Sequence, residues 1–241
     1  MKKLSAKQRK WGIRLLFGLW LAVVIPAFQV VLVSFFNPPT TGPMAFRWLA
    51  GRFDSGYSPN QYRWSSLTNV PDNFLTSVWI TEDCHFFEHW GFDWQQIQMA
   101  RAEAKASGKP ARGASTITQQ CARSLFLWQG RSWFRKSLEA YYTVWMELLL
   151  SKGRILELYV NVIELGDGIY GIEAAAQKYY GVSADKLTRE QAAMLVAIMP
   201  NPKKWNPLEP NERVLKRKEI ILQRSEFSRP PVNIKPAPGS K

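Results

Sequence analysis

The sequence predicts a mainly α-helical domain carried behind a single N-terminal transmembrane helix. Three observations predict it. Leu15 to Phe36 is a run of 22 residues without a charge. Beyond it, apolar residues recur at helical spacing in one segment after another. No run of residues alternates apolar and polar as a half-buried strand would.

As a helix the uncharged run is ~33 Å long, enough to cross ~30 Å of hydrocarbon. Pro26, Gln29 and Ser34 interrupt its apolarity mildly, and a neighbouring turn can absorb the proline kink. Lys2, Lys3, Lys7, Arg9, Lys10 and Arg14 precede or open the run with no acid among them. Positive flanks stay in the cytoplasm, which places residues 1–14 inside, 15–36 in the bilayer and the body outside. A cleaved signal peptide would have a shorter apolar region followed by small residues. Val33-Ser34-Phe35-Phe36-Asn37 offers no such site.

Residues 37–60 hold Pro38, Pro39, Gly42, Pro43 and Gly51 and read as a linker. Residues 61–227 then form one helical domain. Pro71 opens a helix with Phe74, Leu75, Val78 and Trp79 on one face and Glu82 near its end. Arg101 to Arg112, rich in Ala, Lys and Gly, reads as mobile. From Arg135 to Ser151, Leu138, Tyr141, Tyr142, Trp145, Leu148 and Leu149 recur at helical spacing, with Lys136, Glu139 and Thr143 on another face. Ser151 to Asn161 reads as an amphipathic turn leading into packing segments. Ile172 to Tyr180 is a short helix closed by Gly181. Thr188 and Gln191 make a capping box before Ala192 to Met199, and Pro200 ends that helix. Residues 228–241, with four prolines, read as a disordered tail.

Composition narrows the class. With 46% hydrophobic residues in 241 the chain is not disordered. The N-terminal cations supply six of the net +13, leaving +7 on the rest. That balance suits phosphates, acidic lipids or nucleic acid as partners. The 11 tryptophans suit a membrane surface. Two cysteines, Cys84 and Cys121, are too few for a disulfide framework and have no metal-site spacing, so they read as free and packed.

Four stretches concentrate polar groups. Thr81 to Asp93 pairs Glu82 with Asp83 at a helix end among aromatics, the setting of a general base or of a solvated acidic turn. His85 and His89 pack nearby. Arg112 to Gln120, then Arg123, sets small residues before hydroxyls and amides. That pattern meets a phosphate or sugar closely, or simply caps a helix. It lacks the ending of a nucleotide P-loop. Arg135, Lys136 and Glu139 share a helix face able to grip a diphosphate, or to form a surface ion pair. Ser151 to Asn161 reads as structural.

In this order, behind an anchor, the stretches resemble the peptidoglycan glycosyltransferase domain, glycosyltransferase family 51, in its single-domain form. The likeness runs from about Val70 to Asn206. It rests on Glu82-Asp83 with Phe86, His89 and Gly91; on Gly113 to Gln120; on Arg135-Lys136 with Glu139; on Lys152 with Ile155-Leu156-Glu157 and Asn161; and on Gly171 to Gly181 and Ala192 to Pro200. Cys84 and Arg123 depart from the usual long polar residue and lysine.

The resemblance implies a lysozyme-like helical fold with a membrane-associated lobe. It implies polymerisation of lipid-linked GlcNAc-MurNAc-pentapeptide (lipid II) with inversion and release of polyprenyl diphosphate. Glu82 matches the family's base and Glu139 its second essential acid. Arg123, Arg135 and Lys136 suit charge neutralisation of the leaving diphosphate, and Ser115, Thr116, Gln119 and Gln120, with Asp83 and His89, suit substrate binding. No cofactor is required; a divalent cation, Mg2+ or Mn2+, bridging the phosphates is the one candidate. The expected partners are lipid II, the growing glycan strand, the membrane and other cell-wall synthesis or division proteins, with no nucleic acid. No transpeptidase domain follows before Lys241, so polymerisation without cross-linking is expected, at a bacterial cytoplasmic membrane with the domain outside. A lytic enzyme would share a helical fold and a catalytic Glu, but has no need of a cation cluster beside a hydroxyl-rich loop.

Overall fold

The computed structural model describes residues 6–52, 57–110, 113–130, 132–228 and 230. The predicted tail lies almost entirely outside the described residues, as do residues 1–5 and Arg112.

Helix α1 (Ala6–Phe35) contains all of the uncharged run but Phe36 and is long and apolar enough to cross a membrane. Of its three irregularities, Ser34 donates to the Val31 carbonyl within the helix at 2.7 Å, and Pro26 and Gln29 are met from outside it. Pro26 lacks an N–H, which frees the carbonyl of Ala22 four residues earlier. The Tyr141 hydroxyl donates to that carbonyl at 3.2 Å. Gln29 accepts from the hydroxyl of Tyr142. The proline is thus accommodated by a side chain of the domain rather than by a neighbouring turn. At the end of α1, Arg154 donates from Nε to the Val33 carbonyl at 3.0 Å and from Nη2 to the Phe36 carbonyl at 3.1 Å. A cation there is favoured by the helix dipole. Arg154 also pairs with Glu157 at 2.6 Å and lies over the Trp64 ring.

Where the sequence suggests a linker, the chain forms α2 (Gly42–Gly51), capped by Thr41. The residues that suggested a linker have another purpose. Pro43 sits in the first turn, where its missing N–H is harmless. A Cβ on Gly42 would lie 3.0 Å from the backbone of Phe126, so glycine permits the close approach.

The domain follows as α3 (Asp72–Glu82), α4 (Trp94–Ser107), α5 (Ile117–Phe126), α6 (Trp133–Leu149), α7 (Lys152–Val162), α8 (Ile172–Tyr180), α9 (Arg189–Ile198) and α10 (Glu212–Phe227). Pro71, Gly181 and the Thr188–Gln191 capping box punctuate it as predicted. Two readings change. Arg101 to Ser107 is helical, because Ala and Lys are strong helix formers; α4 ends at Gly108 in the left-handed conformation and buries only Ala100. Ser151 to Asn161 is not a turn but the N-cap and nearly the whole of α7, buried from Ile155 onward except for Glu157.

A small sheet also forms, with β1 (Gln61–Tyr62) parallel to β3 (Ile169–Tyr170) and β2 (Glu164–Gly166) antiparallel to it. Strands of two or three residues are too short to show alternation in a sequence.

One core runs through the domain, with Phe74, Phe86, Ile117, Met146, Tyr159 and Leu195 among its buried members. In it α5 packs on α6 and α7, α3 on α9, and α10 across α3 and α9, while α1 lies on α6. Asn161, fully buried, pins the segment before α3: it accepts from Ser65 N and donates to Ser65 O, both at 2.8 Å. Gly171 passes directly over Asn161 with φ +81°, where a Cβ would lie 2.4 Å from the Asn161 carbonyl.

Truncating Asn161 orphans both Ser65 groups. Each costs about 1–3 kcal/mol when buried, so Asn161→Ala is expected to lose about 2–4 kcal/mol in thermal or denaturant unfolding of the detergent-solubilised protein. A loss under about 0.5 kcal/mol would show that water replaces the amide.

Candidate active site

Helix α3 ends at Glu82 because Asp83 turns to an extended conformation, φ −164°. The two neighbouring acids therefore point in different directions. Asp83 is buried. It accepts the amide of Ile117, the first residue of α5, at 2.9 Å, and receives His89 Nε2 at 3.0 Å. A carboxylate is favoured at that helix start by the dipole and the free amides. Glu82 points instead to the side where Gln120 Nε2 donates to it at 3.1 Å and Arg217 of α10 pairs with it at 3.2 Å. Gln120 accepts in turn from the hydroxyl of Tyr159 at 3.1 Å. Burial pushes the Tyr159 hydroxyl well above the ordinary tyrosine range, so it stays a donor and fixes which end of the Gln120 amide meets Glu82.

Thr116 and Gln119 cap α5 reciprocally, and Thr116 Oγ1 also donates to the Gly91 carbonyl at 2.7 Å. Asp83, His89, Thr116 and Gln119, predicted to bind substrate, thus commit their polar groups chiefly to holding the start of α5. The reason is the one the sequence left open: hydroxyl and amide at this spacing make a cap. Thr118 adds a second hold. It donates to buried Glu147 at 2.6 Å, and Lys152 binds both Glu147 at 2.9 Å and the His89 carbonyl at 2.7 Å.

Ser115 and Gln120 remain accessible in part, and they link the two predicted catalytic acids. Gln120 Nε2 reaches the Ser115 carbonyl at 3.4 Å as well as Glu82. Ser115 Oγ accepts from Lys136 at 3.0 Å. Lys136 also contacts Glu139, which is fully buried and pairs with Arg135 at 3.3 Å. Arg135 and Arg123 line one cavity of about 520 Å3 together with Gln120, Tyr159, Trp128 and Lys203. Arg135 Nε is buried there without a hydrogen-bond partner among the described residues.

Among the described residues no group of three or more His, Cys, Asp or Glu is arranged to hold a metal ion. Of the two free cysteines, Cys121 is buried and Cys84, expected to be packed, is exposed. Sequence reasoning missed Arg217 and Tyr159. Nothing in a pattern pairs Glu82 with an arginine so far along the chain, and Tyr159 reads as core.

Such a site, a carboxylate linked through an amide and a hydroxyl to a buried acid with two cations, beside a cavity carrying a further arginine, suits transfer of a group from an anionic leaving group. Residues 50–226 match the Transglycosylase family, and the chain belongs to it. Over 208 residues it is 45% identical to the biosynthetic peptidoglycan transglycosylase of Caulobacter vibrioides, covering 86% of this chain and 88% of that one. It is 43% identical to those of Ectopseudomonas mendocina and Chromohalobacter salexigens, covering 86% and 92% of their lengths. The mainly α, lysozyme-like fold expected from the sequence is the fold of this family.

His85 and Asp93 form a separate pair at 2.8 Å, with Asp93 also capping α4 through Gln96 N. The bond to Asp93 holds the His85 ring above its ordinary range against a smaller effect of burial. Burial pushes the Asp93 carboxyl up, but Gln96 N–H and His85 outweigh it and the net shift is downward. The raised His85 stabilises the fold below the unfolded histidine range, and that stability is lost as pH rises through the raised value. Asp93 stabilises above the unfolded carboxylate range and is lost as pH falls through the lowered value. The pair is therefore at full strength between roughly pH 4 and pH 6.5. In an NMR titration the His85 midpoint is expected above about 6.5 and lower in Asp93→Asn. An unchanged midpoint in the variant would refute the pairing in solution.

Proposed function

We propose that the protein polymerises the lipid-linked disaccharide-pentapeptide precursor of peptidoglycan (lipid II) into glycan strands. In this reading the 4-hydroxyl of the acceptor sugar attacks the anomeric carbon of the donor. Its proton passes to Glu82 as the new C–O bond forms. The bond to the diphosphate breaks on the opposite face, inverting the centre and releasing polyprenyl diphosphate. A diphosphate leaves readily once its charge is met, so the site needs cations more than an acid. Arg123, Arg135 and Lys136 meet it. The observation that supports this reading best is the continuous chain from Glu82 through Gln120 and Ser115 to Lys136, Glu139 and Arg135.

Glu139 serves to hold the two cations in register. Glu139 is the carboxylate of this cluster that would hold a divalent cation, which would add to the charge neutralisation that Arg135 and Lys136 supply, and in this structure it is engaged by those two cations. The basic N-terminus stays in the cytoplasm, α1 crosses the bilayer and the domain stands outside, where a lipid-linked substrate is presented. Proteins of cell-wall synthesis or division are the partners this location suggests.

The purified full chain is given lipid II and, separately, intact peptidoglycan. Polymer from the first is expected; fragments from the second would instead mark a lytic enzyme. General base catalysis contributes about 10²–10⁴ in rate, so Glu82→Gln is expected to lose that much turnover while binding donor nearly normally. Glu139→Gln differs. It leaves two cations without their buried partner, so donor affinity, the response to added Mg2+ and thermal stability all shift with rate. Near wild-type turnover by Glu82→Gln would overturn the base assignment.

A further inference from the structure

Helix α10 reaches back across the fold to the proposed base. Val214, Arg217 and Ile221 fall at i, i+3 and i+7 on α10 and so share one face of it. Val214 is fully buried and Ile221 is 2% exposed, so this face packs on the core, against α3 and α9. Arg189, at the start of α9, fixes α10 further along by donating to the Leu222 carbonyl at 2.7 Å. Arg217 is therefore carried inward by a helix whose position is set on either side of it. Its Nη2 lies 3.2 Å from Oε1 of Glu82. Arg213, one turn earlier on the same helix, lies over the Trp205 ring instead.

The two oxygens of Glu82 are thus held from two different helices, Oε1 by Arg217 of α10 and Oε2 by the Nε2 of Gln120 on α5. One contact leaves a carboxylate free to turn about the bond to its side chain; two set its plane. Among the described residues Arg217 is the one cation within ion-pair distance of Glu82. As a stabilising contact the pair is poor. The Arg217 side chain is 33% exposed, and ion pairs near the surface contribute little. Its Nε is nonetheless buried with no hydrogen-bond partner among the described residues, which costs stability. A weak pair that strands a buried donor is not accounted for by folding, and such local violations gather at functional sites. We propose that Arg217 is a positioning residue for the general base: from α10 it sets the Glu82 carboxylate against the hold of Gln120, so that the base is aimed before the acceptor sugar arrives. In this role it acts through Glu82 and not on either sugar. The inference rests on the reading of Glu82 as the base.

Lipid II turnover by the full chain in detergent tests it, in the wild type, Arg217→Met, Arg217→Lys and Glu82→Gln, and in each Arg217 variant combined with Glu82→Gln. A misplaced catalytic group loses rate rather than substrate binding, so Arg217→Met is expected to lower kcat about 10–100-fold with KM within about threefold. Arg217→Lys keeps the charge on a more flexible stem without the planar fork, and its kcat is expected to fall between the two. In the Glu82→Gln background no base remains to be aimed, so adding either Arg217 variant is expected to change the rate less than about twofold. The unfolding temperature and donor affinity are expected to stay near those of the wild type, because the pair is partly exposed. Wild-type kcat in folded Arg217→Met overturns the proposal. So does a rise in KM at unchanged kcat, which makes Arg217 a substrate contact, and so do losses that multiply with Glu82→Gln, which give it a role independent of the base. Arg217→Lys preserves the charge beside Glu82, so its cycle decides the matter even where Arg217→Met does not fold. A wild-type chain that does not polymerise refutes the proposed function, and near wild-type turnover by Glu82→Gln refutes the base; neither outcome involves Arg217.

Discussion

Asp83 accepts the first amide of α5 from inside the protein, and the arrangement of the site depends on that contact. It joins the end of α3 to the start of α5, so the residue before it, Glu82, and the residues on α5, Gln120 above all, have one relative position. The start of α5 carries free amides and a partial positive charge, which only a buried carboxylate and a cap can satisfy there. His89, Thr116, Gln119 and the Gly91 carbonyl complete the joint. That joint sets the position of Glu82 relative to Gln120 and, through Ser115, to the cations on α6.

The same helix is held from its other side by Glu147, Thr118 and Lys152, a buried cluster that ties α5, the end of α6 and the start of α7 together. Removing one member of such a cluster is far more disruptive than removing an exposed pair, because the remaining charge is stranded. From α6 and α7 the hold extends to α1. Tyr141 takes the carbonyl freed by Pro26, Tyr142 takes Gln29, and Arg154 takes the last carbonyls of the helix. The apolar helix is therefore not a loose tether but is built onto the helix that carries Glu139. The placement of α1 and the position of the cation cluster are set by the same packing.

Much of this was legible in the sequence because it is local. Helical spacing located α3, α6, α8 and α9, the Thr188–Gln191 box and Gly181 placed two boundaries, and the uncharged run placed α1. The acid pair, the cation pair and Glu139 were visible as polar groups in helical context. What was not legible was which of them face outward. Asp83 differs from Glu82 by one position and a turn of φ, and Thr116 and Gln119 differ from Ser115 and Gln120 by a capping geometry that sequence allows but does not require. Pro43 and Gly42 read as a linker because their packing partner, Phe126, is distant in sequence. Arg217 was hidden for the same reason: its role follows from α10 lying across α3, a tertiary fact no local period encodes.

If Asp83 acts by placing Glu82, the two residues form one functional unit, and their effects on rate will not multiply. The direct measurement is a double-mutant cycle of lipid II turnover with Asp83→Ala, Glu82→Gln and the combination, each checked for a folded state by unfolding and by donor binding. The account predicts that Asp83→Ala loses much of the rate that Glu82→Gln loses, and that the combination is no slower than Glu82→Gln alone. Losses that multiply in the double variant, or wild-type turnover by folded Asp83→Ala, would contradict it.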